Sequence, residues 1–165
     1  MSTDRRTGFL THGRRLAALT LAAAALPLLL SAPAEAARAG RDLSVVSVKA
    51  DDTTASAGQL LTVKVVAVNH GRGQVDQAII VPDVPGLTVE SATCAYGVSP
   101  DGPNDCEYGA PPSGQRFTTI YKVRAAAPSR HLRRATLQAC TTNLSGEADP
   151  VPGNDCRSVT IKLTR

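Results

Sequence analysis

Four cysteines, Cys94, Cys106, Cys140 and Cys156, carry the clearest covalent chemistry in this chain. An even set of cysteines in an exported chain reads as two disulfides formed in an oxidising compartment. The competing chemistry is a structural zinc site, which gathers its ligands in close pairs such as C-x-x-C. The tightest spacing here, Cys94 to Cys106, is far wider than that, so disulfides are expected and no metal is.

The remaining polar groups are weaker candidates. Hydrolysis needs a nucleophile, a base and an orienting group held together. Past residue 36 the histidines are His70 and His131, each beside turn or basic residues, and no G-x-S-x-G elbow occurs. No catalytic residue, no enzyme activity and no cofactor are expected. Asp101, Asp105 and Glu107 share one Pro/Gly-rich loop, and Glu147, Asp149 and Asp155 share another. Calcium gathers about six to eight oxygens, which two such loops could supply from one end of a domain. Asp and Asn also favour turns by bonding their own backbone, and no Asp-x-Asp ligand spacing is present. Arg124, Arg130, His131, Arg133 and Arg134 form a basic stretch with Lys122 just before it. Of these, Arg130, Arg133 and Arg134 are the first candidates for contact with an anionic partner such as an envelope polymer. The plain alternative is a solvated connection between strands. Aromatic residues do not interleave with the charges, which argues against nucleic acid.

These groups must be held by short strands. From Leu43 onward the chain runs in Val- and Thr-rich segments separated by Gly, Pro, Asn and Asp, with no helical period. Strands are expected at 43–49, 59–69, 75–82, 87–94, 116–125, 135–142 and 157–164. About seven short strands with such punctuation predict an all-β, immunoglobulin-like antiparallel sandwich with two disulfides. Alternation assigns the buried face: Leu61, Val63, Val65 and Ala67 in one strand, Phe117, Tyr121 and Val123 in another, Val159, Ile161 and Leu163 in the last. Lys64, Lys122 and Lys162 fall on the opposite faces and pin the register, because a slip of one residue would bury the charge.

The same parity places Cys140 with Gln138 and Thr142, Cys156 with Ser158 and Thr160, and Cys94 with Thr88 and Glu90, all facing outward. It favours Cys94 with Cys106 and Cys140 with Cys156, each closing a local loop, unlike the buried bridge between sheets of antibody domains. Parity alone leaves crossed pairings open.

The first 36 residues read as a cleavable export signal, not as fold. Arg5, Arg6, Arg14 and Arg15 precede an apolar run from Leu16 to Leu30, and Ala34-Glu35-Ala36 supplies the small residues a signal peptidase reads. That run of 15 residues is shorter than the roughly 20 a membrane-crossing helix needs. Residues 37–41 are then a flexible lead-in and 42–165 the domain. Removing the signal takes four of the 18 basic residues and two of the 14 acidic ones, so the net charge falls from +4 to +2. A charge argument for nucleic acid binding fails on that count. With no second apolar span, the chain is expected to be secreted, held at the cell wall by non-covalent contacts at most.

The ordered motifs Asp42-Leu43-Ser44-Val45, Ala57-Gly58-Gln59-Leu60-Leu61-Thr62-Val63 and Val68-Asn69-His70-Gly71 resemble the opening of the bacterial conserved-repeat domain, domain of unknown function eleven. Ile79-Ile80-Val81-Pro82-Asp83, Pro85-Gly86-Leu87-Thr88-Val89, Gly114-Gln115 and the closing Asp149-Pro150-Val151-Pro152-Gly153-Asn154-Asp155 follow in the family's order. The departures are a single copy, and His70 and Asp155 where the family carries Asn. The resemblance implies an immunoglobulin-like sandwich of surface and secreted proteins with structural or adhesive roles and no catalytic residues. The expected function is therefore a binding or structural module that meets a cell-envelope polymer or another extracellular protein. The alternative is a small-ligand carrier whose pocket would be built by the Tyr96–Tyr108 loop.

Overall fold

A computed structural model describes residues 42–72, 77–95, 102–109, 112–144, 146 and 148–165. The export segment 1–36, the lead-in 37–41, and Tyr96, Asp101 and Glu147 lie outside these residues. The described chain forms nine strands: β1 (Leu43–Ala50), β2 (Thr54–Ser56), β3 (Leu60–Asn69), β4 (Gln77–Ile80), β5 (Leu87–Cys94), β6 (Asp105–Tyr108), β7 (Arg116–Ala125), β8 (Arg134–Asn143) and β9 (Cys156–Thr164). All nine fall within one folding unit. No helix among the described residues is long and apolar enough to cross a membrane.

The strands pack as two sheets, ordered β1-β3-β7-β5 and β2-β9-β8-β4-β6. Seven of them (β1, β3, β4, β5, β7, β8 and β9) reproduce the four-plus-three arrangement of a constant-type immunoglobulin sandwich. The fold is thus all-β and immunoglobulin-like. β2 joins the free edge of β9 in parallel, the one parallel pairing among the described strands. β6 comes between β5 and β7 in the chain, crosses to the other sheet and pairs with β4. The seven expected strands are thus present, and two short edge strands, β2 and β6, bring the described residues to nine with one parallel pair.

The centre of the sandwich is aliphatic. Alternate residues of β3 (Leu61, Val63, Val65, Ala67) face Ile79, Leu137, Ala139, Ile161 and Leu163 of the opposite sheet across one buried cluster. Side chains with period two in a strand all reach one face, so the alternation seen in the sequence becomes the core. Two tyrosines complete it with their hydroxyls paired. Tyr121 donates to the Ile79 carbonyl at 3.1 Å, and Tyr108 shares a hydrogen bond with Thr119 while its ring packs on Phe117.

The disulfides join Cys94 to Cys106 and Cys140 to Cys156. The second is a rung between directly opposed residues of β8 and β9. The first has the expected partners, but Cys94 does not face outward as expected. The β5–β7 register shifts between Val89 and Ser91, leaving Glu90 as a bulge. One extra residue inverts the parity downstream, so Cys94 falls in phase with half-buried Ala92 rather than with Thr88. Its partner Cys106 is 0% exposed. Because β5 and β6 belong to different sheets, this bridge closes one open side of the sandwich.

Candidate functional site

The β7–β8 connection and the end of β9 meet at one end of the sandwich. Pro85 and Gly86 turn the chain there between Val84 and Leu87, which bond each other in both directions at 3.2 and 2.9 Å. Gly86 has φ +94°, a left-handed conformation that glycine adopts without strain. A Cβ at that point would lie 2.8 Å from Leu163 and 3.0 Å from Leu132. The close approach seats the β7–β8 connection against β9. Within that connection the Ser129 hydroxyl accepts the amides of His131 and Leu132, at 3.3 and 3.1 Å. The Leu163 amide donates to the Arg133 carbonyl at 2.9 Å, and Lys162 donates through its backbone to Thr53 of the β2 lead at 2.8 Å.

This scaffold gathers Arg130, Arg133, Lys162 and Arg165, with Ser129 and Thr164, around an open hollow of about 670 Å³. Arg134 does not line the hollow. It sits beside it on β8, directly opposite Lys162 in the antiparallel register. All five cations are exposed. Like charges placed opposite each other across two strands repel. Among the described residues none of the five side chains makes a hydrogen bond or ion pair. The acids nearest in sequence to β2 are spent on backbone: Asp51 accepts the amide of Thr62 at 3.0 Å and Asp52 that of Thr54 at 2.8 Å. Elsewhere the same fold does neutralise an arginine. Arg124 forms an ion pair with Glu90 through both carboxylate oxygens and also donates to the Gly58 carbonyl at 2.8 Å. The expected contact residues Arg130, Arg133 and Arg134 thus come together with two cations, Lys162 and Arg165, that the linear sequence left apart.

The opposite end is acidic. Asp149 accepts the Leu43 amide at 2.9 Å and the Val151 amide at 2.6 Å, and Asn154 donates to Asp42 at 2.9 Å. These bonds tie the β8–β9 loop to the start of β1. Asp155 lies beside a hollow of about 250 Å³ with Thr141 and Asp149. Its carboxyl is pushed up to about 6, first by burial and then by the negative charges of Asp149 and Asp42. Asp105 and Glu107 are elsewhere, on edge strand β6 opposite Ile80 and Ala78. Among the described residues, the acids of the two stretches thus stand on different elements, Asp105 and Glu107 on β6 and Asp149 and Asp155 in the β8–β9 loop. Among the described residues no three His, Cys, Asp or Glu side chains form a metal-holding group.

The two histidines are at different ends. The His70 amide donates to the Asp42 carbonyl at 2.7 Å, whereas His131 is in the β7–β8 connection. Tyr108, expected to wall a pocket from a loop, is instead an inward residue of β6, 2% exposed. Neighbouring Gln77 is 1% exposed with neither amide atom hydrogen-bonded.

No family model matches the chain, and no curated protein matches its sequence. Solved structures do resemble it. The CARDB domain of a Pyrococcus furiosus protein, determined in complex with di-metal ions, superposes with a TM-score of 0.52 at 11% identity, covering 76% of this chain and 94% of that one. An uncharacterised Nocardia farcinica protein with an immunoglobulin-like fold gives a TM-score of 0.32 at 17% identity, covering 72% of this chain and 98% of that one. The first is a likeness of fold alone, and the second is too distant to carry an argument.

Proposed function

We propose that the chain is an exported, non-enzymatic binding module that docks an anionic component of the cell envelope at its basic end. The observation that carries this reading is the opposed pair Arg134 and Lys162 beside the hollow that Arg130, Arg133 and Arg165 line, with no carboxylate partner among the described residues. A fold that pairs Arg124 with Glu90 but leaves five neighbouring cations unpaired retains repulsion that an anionic ligand would relieve. Two disulfides fit an oxidising compartment. The resemblance to the conserved-repeat domain supports the same class of function. Its Pro85-Gly86-Leu87 turn is the one that seats the basic connection, and its closing acidic segment ties β9 to β1.

The test is co-sedimentation of the mature protein with the producing organism's cell envelope across a salt series. Pelleting should be strong at low salt and fade as ionic strength rises, because exposed charge attraction is screened within about 8–10 Å at 0.1–0.15 M. The triple variant Arg130→Ala/Arg133→Ala/Arg134→Ala should remain in the supernatant. Salt-dependent pelleting that survives the triple substitution would refute the assignment.

A further inference from the structure

We infer that the outer face of the β8–β9 pair is a track for a phosphate-bearing polyol chain, with the phosphates at the basic end and the hydroxylated units along the sheet. This deepens, and rests on, the reading of the basic end as an anion site. In the antiparallel register Arg134 opposes Lys162, Thr136 opposes Thr160 and Gln138 opposes Ser158. All six are exposed and share one face of the sheet. Two cations thus lead into four neutral hydrogen-bonding side chains in straight succession, and the Cys140–Cys156 rung closes the row. No carboxylate stands in these two rows. The acids of this sheet, Asp105 and Glu107, are on β6, separated from β8 by β4.

The chemistry of the row selects among anions. Arginine and lysine recognise phosphate oxygens, and arginine can do so with two parallel hydrogen bonds. A bare polyanion would meet cations only at the first rung, because the Thr, Ser and Gln groups of the next two rungs hold no charge. A neutral glycan would leave the charge of the first rung unneutralised. A chain that alternates phosphodiesters with hydroxyl-bearing units satisfies both. The Thr136 and Thr160 hydroxyls are 3.0 Å apart and already hydrogen-bonded to each other, so each is held in place with further donor or acceptor capacity facing out.

The experiment is titration of the mature protein by calorimetry with four probes: a glycerol phosphate polymer, inorganic polyphosphate of matched charge, an uncharged dextran, and vesicles of anionic phospholipid. The glycerol phosphate polymer should bind about tenfold or more tightly than polyphosphate, the contribution of one to two neutral hydrogen bonds, and dextran should not bind. The Thr136→Val/Thr160→Val variant should lose that preference and keep the residual salt-dependent binding to polyphosphate. Gln138→Ala, an exposed change, gives the same comparison if the double variant folds poorly. Equal affinity for the two polymers, a preference that survives the face variants, or binding confined to vesicles would overturn the track while leaving an anion site at the basic end. Absence of binding to every anionic probe would overturn both.

Discussion

Arg134 of β8 and Lys162 of β9 stand directly opposite each other on the exposed face of one sheet, and no acidic side chain among the described residues neutralises either. Cross-strand neighbours of like charge cost stability that a neutral or acidic residue at one position would restore. Their persistence beside Arg130, Arg133 and Arg165 is the physical basis for assigning function to this end of the sandwich.

The geometry of that end depends on Gly86. Its φ of +94° disfavours any side chain, and a Cβ would press on Leu163 and Leu132. Gly86→Ala is expected to cost about 2–5 kcal/mol, from left-handed strain of about 1–2 kcal/mol and overpacking of about 1–3 kcal/mol. Denaturant unfolding checks it, and a loss below about 1 kcal/mol would mean that the turn relaxes freely.

Gln77 should be a site of easy stabilisation. Its amide is buried on the inner side of β4 with no partner at either atom. Leaving such a group unpaired costs about 1–3 kcal/mol, so Gln77→Leu should raise stability by a similar amount in thermal or denaturant melts. A destabilised variant would show instead that buried water bonds this amide in solution.

Asp155 gives the domain a pH signature. Its folded-state value of about 6 lies above the ordinary 3.8, so the native state holds the proton more tightly than the unfolded chain. Protonation therefore favours folding. That contribution is complete below about pH 4 and is lost as pH rises through about 6. Asp155→Asn removes the titration and keeps the backbone bond from the Thr141 amide to the residue 155 carbonyl. Its melting temperature relative to the parent should rise between pH 4 and pH 7. A difference independent of pH would contradict the assigned cause.

The two disulfides should not contribute equally. Their loops of 12 and 16 residues predict nearly the same entropic stabilisation, about 3 kcal/mol each. Cys94–Cys106 also ties the edges of two different sheets and fills a fully buried position at Cys106. Cys94→Ala/Cys106→Ala should thus destabilise more than Cys140→Ala/Cys156→Ala in parallel unfolding experiments. Equal losses would reduce both bridges to loop closure alone.

Much of the fold was legible because strong alternation leaves few options. The seven expected segments are the seven skeleton strands, and two of them, Leu87–Cys94 and Arg116–Ala125, match end to end. β2 and β6 escaped because three and four residues are too short to show a period. β6 is further disguised by the Pro103 and Asn104 turn before it. The outward reading of Cys94 failed at Glu90, since a bulge inverts parity and leaves no mark in the residue types. At the basic end, Arg130, Arg133 and Arg134 are visible as a run. Lys162 and Arg165 were not joined to them, because alternation shows which way Lys162 faces but not which residue lies across from it. Register between strands is a tertiary quantity, and the site exists only through it.

The role of the basic end can be read from the single substitution Arg134→Glu, with stability and envelope binding measured on the same sample. The new carboxylate would face Lys162, converting a repulsive rung into an attractive one of about 0.2–1 kcal/mol. The variant should be at least as stable as the parent and should no longer pellet with the envelope at low salt. A variant that pellets as the parent does would contradict that role and return the basic end to an ordinary solvated surface.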